Sequence, residues 1–215
     1  MICWRSVLAG AALALPLLQG CVEMAIIGGA SVAVATAEDR RTTATQMEDR
    51  GMQLRASNRI DDRYGDRVHV NVTVFNRHVL LTGEVGDEKT RADVEAMARS
   101  VPNVTGVLND VQIAGVSSTG SRSNDTLITS AVKTRLSDTD KVNMFHVKVV
   151  TEAAVVYLLG VVTEQEAAAA VEIARTTSGV RKVVKVFDYC KPTDELCKPP
   201  PPPPPARPGG PRSGN

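Results

Sequence analysis

The chain has 215 residues, with 25 Lys and Arg against 24 Asp and Glu. A net charge of +1 supplies no polyanion-binding field, and aromatics at 3% leave few surfaces for stacking bases, so nucleic acid is excluded as a partner. The length suits one medium domain or two small ones. At the amino terminus "VLAGAALALPLLQG", Val7 to Gly20, carries no charge. It has the length of a signal-peptide apolar core and is too short for a membrane-spanning helix, which needs roughly 20 residues. Pro16 would break a buried helix there. Residues 1–20 therefore read as a removable signal segment.

The end of that segment, Leu18-Gln19-Gly20-Cys21, resembles the bacterial lipobox. The resemblance implies cleavage before Cys21 and its modification with diacylglycerol and a further acyl chain. Each buried methylene adds about 0.8 kcal/mol, so several chains anchor firmly where one would not. Val22 stands where an aspartate would retain a lipoprotein at the inner membrane, which implies the outer membrane, periplasmic face. The only cofactor expected is this covalent lipid. Residues 21–45 read as a lipidated tether, with no mature segment long and apolar enough to cross a membrane. Cys190 and Cys197 bracket "KPTDEL". In an oxidising periplasm they read as a disulfide; a metal site is the alternative, with only Asp194 and Glu195 nearby as further ligands.

The chain repeats itself. "HVNVTVFNRHVLLTGEV", His69 to Val85, lies over "HVKVVTEAAVVYLLGVV", His146 to Val162, without a gap. Farther on, Ala98-Arg99 meets Ala174-Arg175, and Val104 and Val107 meet Val180 and Val183. Each copy reads helix, strand, strand, helix, strand. In the first, Met47 to Ile60 is helical, with Met52, Ala56 and Ile60 at four-residue spacing. His69 to Phe75 alternates as a half-buried strand, and Val79 to Val85 is a second. A helix starts at Asp87 with Val94, Met97 and Ala98 facing inward; Val107 to Ile113 closes the unit, with Val107, Asn109, Val111 and Ile113 on one face. The crossover should be right-handed and its strands parallel. The fold class is α+β, two helices on a small three-stranded mixed sheet in each copy.

The copies occupy residues 46–114 and 123–190, joined by a Gly/Ser linker over 115–122. Residues 191–215 read as a Cys-containing, proline-rich disordered tail. Its Pro199 to Pro205 run would form a polyproline II rod of roughly 22 Å. No catalytic constellation stands out: there is no Gly-x-Ser-x-Gly, no phosphate loop and no metal motif. His69 and His146 occupy matching positions, which reads as a repeated structural role, and His78 reads as an exposed turn residue.

Two such units behind "LLQGC" resemble the dual BON-domain outer-membrane lipoproteins of the division-site and envelope-integrity type. "SNDTLIT" from Ser123, "VVYLLGVVTEQEA" ending at Ala167, and "SGVRKV" from Ser178 carry the resemblance. It implies a non-catalytic envelope protein that binds phospholipid. The family usually places glycine in the hairpin between the first two strands, where Arg77 and Ala154 stand here. A strained or differently shaped turn is therefore expected at Glu152 to Val155.

The first helix of the second copy is the candidate site. Ser123 or Asn124 would cap it, and Asp125 would suit its positive start. Ile128, Val132 and Leu136 form its core stripe, which turns Leu127 towards Ser130 and Thr134 on the outer flank. Leu127 reads either as a surface or inter-copy leucine, or as a wedge into lipid with Lys133 and Arg135 meeting anionic headgroups. The resemblance favours lipid, which assigns Asn124, Leu127, Ser130, Lys133, Thr134 and Arg135 to anionic phospholipid. A partner protein in the envelope, recruited by the proline tract or the copies' surfaces, is the competing reading.

Overall fold

The computed structural model describes residues 39–115 and 119–198. The signal segment, Cys21 with most of the tether, the middle of the linker and the proline tract lie outside the described residues. Among the described residues no helix is long and apolar enough to cross a membrane.

The first unit runs α1 (Thr43–Tyr64), β1 (His69–Phe75), β2 (His78–Val85), α2 (Glu88–Arg99), β3 (Gly106–Asn109) and β4 (Gln112–Ile113). The second runs α3 (Thr119–Ser137), β5 (Val147–Glu152), β6 (Val155–Val162), α4 (Glu164–Arg175) and β7 (Lys182–Tyr189). In each sheet the middle strand pairs antiparallel with the one before it and parallel with the one after the crossover helix. The α+β architecture is as expected.

The amphipathic stripes account for the first two cores. Met52, Ala56 and Ile60 of α1 pack with Val94 and Ala98 of α2 onto Val72, Val74, Val79 and Leu81. Ile128, Val132 and Leu136 of α3 pack with Ala170 and Ala174 of α4 onto Val149, Val156 and Leu158. A third core lies on the opposite sheet faces. Phe75 and Leu80 of the first unit meet Tyr157, Leu159 and Val161 of the second, together with Cys190 and Cys197. The two sheets thus pack on one another through the faces that no helix covers, and β2 and β6 are buried on both sides.

Several boundaries depart from expectation. The first helix starts at Thr43, because the Thr42 side chain accepts from the Thr45 amide and caps it there. The second unit's first helix starts at Thr119, inside the stretch expected as linker, so Ser123 and Asn124 lie within it and do not cap it. The closing strand of the first unit breaks at Asp110. The Asn109 side chain accepts from the Val111 amide, an Asx turn that sends Val111 inward and leaves Ile113 exposed, ending the single-face alternation. The tail is packed as far as Cys197: Cys190 and Cys197 are joined, with Cα atoms 5.6 Å apart, and both lie in the third core.

The two hairpins share one shape. Asn76 and Arg77 have φ of 47° and 65°, and Ala153 and Ala154 have φ of 48° and 62°. Both central residues are left-handed, as in a type I′ turn that matches the twist of its strands. The expected difference in shape is absent; the strain is present, since alanine gains nothing from positive φ. What holds the turns is a buried carboxylate from each unit's first helix. Asp49 accepts from the Asn76 and Arg77 amides at 2.7 and 2.8 Å, and Asp125 accepts from the Ala153 and Ala154 amides at 2.9 and 2.8 Å. Asp125 therefore serves the hairpin and not the helix start.

The matched glycines of the middle strands have a steric cause. A Cβ on Gly160 would meet the His146 carbonyl, and one on Gly83 would meet the His69 carbonyl. Gly160→Ala should destabilise the chain by roughly 3 kcal/mol in urea unfolding, through backbone displacement in the sheet. An unchanged midpoint would show that the strands part freely there.

Candidate functional site

The outer face of α3 is built by the stripe beneath it. Burying Ile128, Val132 and Leu136 against the sheet turns Asn124, Leu127, Ser130, Lys133 and Thr134 to solvent, and Leu127 is 69% exposed. The stripe through Asn124, Leu127, Ser130 and Thr134 runs along the crest of the helix, with Lys133 on the flank towards β5. On that flank lies a cavity of about 570 Å³ lined by Ser130, Lys133 and Thr129 together with His69 and Glu152.

Arg135 has a different place. Its guanidinium donates to the Ile173 carbonyl at 2.8 Å and to the Thr177 and Thr176 hydroxyls at 2.7 and 3.0 Å. It fastens α3 to the end of α4. Arg59 does the same in the first unit, donating to the Ser100 hydroxyl at 2.8 Å. The same fastening stands in both copies, so Arg135 orients the helix while remaining exposed beside it.

With Asp49 and Asp125 as the shared mark, the two first helices can be compared position by position. The cores correspond: Met52, Ala56 and Ile60 against Ile128, Val132 and Leu136. The outer faces do not. Glu48, Gly51 and Ser57 of α1 stand where α3 carries Asn124, Leu127 and Lys133. The second copy has an amide for an acid, an exposed leucine for a glycine and a cation for a serine, while its Ser130 stands where α1 carries the exposed Leu54. Such a surface is suited to an interface between apolar and anionic layers.

Arg181 donates to the Ala153 carbonyl and so belongs to the hairpin, whereas Lys182 and Lys185 project from β7. His69 and His146, matched in sequence, differ in setting. His69 Nδ1 lies 2.8 Å from Glu84, and His146 Nδ1 lies 3.1 Å from Glu166.

The segment that enters from the tether is a clasp, and sequence reasoning missed it. Arg40 donates to the Val161 carbonyl and to both oxygens of Glu166. Arg41 pairs with Asp39 and Asp49, and its guanidinium lies 3.7 Å from the centre of the Phe75 ring. Adjacent arginines thus grip different repeats, setting where the chain leaves the folded unit. Glu166 also closes a capping box with Thr163 at the start of α4. Burial alone would raise its carboxyl, but Arg40, the Thr163 amide and His146 outweigh that and hold it at about 2, against an ordinary 4.5.

Because the folded value is depressed, this contribution is complete above about pH 4.5 and is lost as pH falls towards 2. Urea midpoints of the native chain and Arg40→Ala should differ most at pH 6 and converge below pH 4.5. A constant difference would mean that Arg40 acts through packing alone.

Known proteins resemble this chain in sequence. The BON domain pattern matches residues 56–115 and 124–191, the two units described above. The chain is 38% identical to the outer membrane lipoprotein DolP of Haemophilus influenzae, over 80% of this chain and 90% of the relative. It is 31% identical to the 21 kDa hemolysin of Actinobacillus pleuropneumoniae, over 70% of this chain and 79% of the relative. With both repeats matched over more than half its length, the chain belongs to the BON-domain family.

Proposed function

We propose that this protein is a non-catalytic lipoprotein of the outer membrane, anchored by acyl groups on Cys21, that maintains envelope integrity. It reads anionic phospholipid through α3 and gathers where the envelope is remodelled at division. The observation that carries the reading is Leu127, a large apolar side chain 69% exposed on the crest of a helix whose counterpart in the first repeat has glycine there. Asn124, Ser130 and Thr134 offer polar groups along the same crest, Lys133 adds a cation beside it, and Arg135 keeps the helix in place. The relative named as an outer membrane lipoprotein supports the location.

A tethered reader needs only weak headgroup affinity, because anchoring at Cys21 raises its effective concentration at the surface. The full chain, made without acyl groups, should co-sediment with phosphatidylglycerol vesicles and not with phosphatidylcholine vesicles. Equal binding to both, or to neither, would contradict the reading. In the second case loss of function on deleting Lys198 to Asn215 would identify a protein adaptor instead.

A further inference from the structure

Metal-ligating side chains from both repeats converge at the margin of the sheet–sheet interface. His69 on β1 and Glu84 on β2 are direct cross-strand partners, with Nδ1 2.8 Å from the carboxylate. Glu152, the last residue of β5, arrives from the second repeat. One ligand atom from each of the three lies within 4.8 Å of the others. The Asn71 amide completes the group, 2.7 Å from Glu152 and 3.5 Å from His69 Nε2.

Glu84 and Glu152 are 6% and 9% exposed, and they sit on the sheet faces that otherwise bury Leu80, Leu159 and Val161. At the place of Glu84 the second repeat has Val161, which is 1% exposed and apolar. Two carboxylates buried side by side repel one another and lose hydration. Burial pushes the Glu152 carboxyl up, and the Glu84 and Asp125 charges push the same way, while Asn71 and His69 oppose.

We propose that His69, Glu84 and Glu152 bind a divalent transition-metal ion, zinc above all, that staples the two repeats together. One imidazole nitrogen with two carboxylate oxygens suits zinc, whereas calcium and magnesium take six or more oxygens. Zinc bonds of about 2.0–2.2 Å place tetrahedral ligands roughly 3.3–3.6 Å apart, so modest side-chain rotations from the present spacing would complete the site. The fourth position faces the cavity beside α3, which His69, Asn71 and Glu152 line, and is filled by water or by the Asn71 amide oxygen after an amide flip. Arg122, Lys133 and Asp125 line the same cavity, so charges of both signs surround the site. The ion would replace the hydrogen bond between His69 and Glu84, and any proton held there passes to solvent on binding.

The test is a titration of the purified, untagged full chain in non-ionic detergent with zinc alone, competing against a chromophoric chelator. We expect one equivalent bound, a higher melting temperature, and ligand-field absorption when cobalt replaces zinc. Glu152→Gln and His69→Gln should each weaken zinc by roughly tenfold or more. His78→Gln, which alters a histidine outside the cluster, should leave affinity unchanged. Affinity unaffected by Glu152→Gln and His69→Gln, or no stoichiometric binding, would overturn the proposal. Far-ultraviolet circular dichroism and urea midpoints establish that each variant is folded before its affinity is read.

Discussion

Asp125→Ala should lower stability by about 3 kcal/mol in urea unfolding of the full chain, and Asp49→Ala by more. Each carboxylate is buried and accepts from both amides of a left-handed hairpin turn. Hydrogen bonds to a charged group contribute roughly 1.5–3 kcal/mol each, and their loss leaves two inward-facing amides without partners. Asp49 also pairs with Arg41 at 2.8 Å, so its removal breaks that part-buried pair as well and leaves Arg41 with Asp39 alone. The hairpin residues make the account separable. Ala154→Gly removes the penalty of positive φ and should stabilise by about 1 kcal/mol. In that background Asp125→Ala should cost less than in the native chain, because the turn no longer needs holding against its own preference. Equal costs in both backgrounds would show that the aspartate supports the helix and not the turn.

Leu127→Glu should weaken binding of the unacylated full chain to phosphatidylglycerol vesicles by at least about tenfold. Withdrawing one leucine from an apolar layer forfeits roughly 1.5–3 kcal/mol, and a new negative charge beside an anionic surface adds about 1 kcal/mol. Lys133→Glu reverses one charge near that surface and should weaken binding by roughly tenfold through electrostatics, an effect that fades as salt rises. Leu54→Ser changes another exposed leucine, on the first repeat's helix, and should leave binding as it was. Leu127 lies on the crest, away from the core stripe, so its substitution should not alter the urea midpoint. Unchanged vesicle affinity in Leu127→Glu would remove α3 from the membrane contact.

Elements whose burial follows from local spacing were legible in the sequence. Met52, Ala56 and Ile60, then Ile128, Val132 and Leu136, announce buried helix faces, and all six are buried. His69 to Phe75 is a strand with the bounds its alternation implies. What escaped depends on contacts distant in the chain. The third core had a signal that went unused: "VLL" at Val79 to Leu81 and "VVYLLGVV" at Val155 to Val162 are apolar on both faces of a strand, and a second face needs a second cover. From "SND" alone Asp125 reads as a helix-start charge, whereas the helix begins earlier, at Thr119. Its true partners, Ala153 and Ala154, are identified only once the hairpin is folded against the helix. Arg135 looked like a headgroup ligand, and comparison with Arg59 across the repeat would have marked it as a fastening of one helix to the next. Arg40 and Arg41 sat in a stretch read as tether, where no periodicity flags a residue that pairs with Glu166 more than a hundred positions away.

In the proposed function the second repeat, and not the first, reads anionic lipid. The most direct measurement is amide NMR of the unacylated full chain titrated with phosphatidylglycerol bicelles and, separately, with phosphatidylcholine bicelles. The account predicts shifts with the anionic lipid only, clustered from Asn124 to Thr134, while Glu48 to Ser57 on the matching face of α1 stay still. Shifts of equal size on both helices, or none with either lipid, would contradict it.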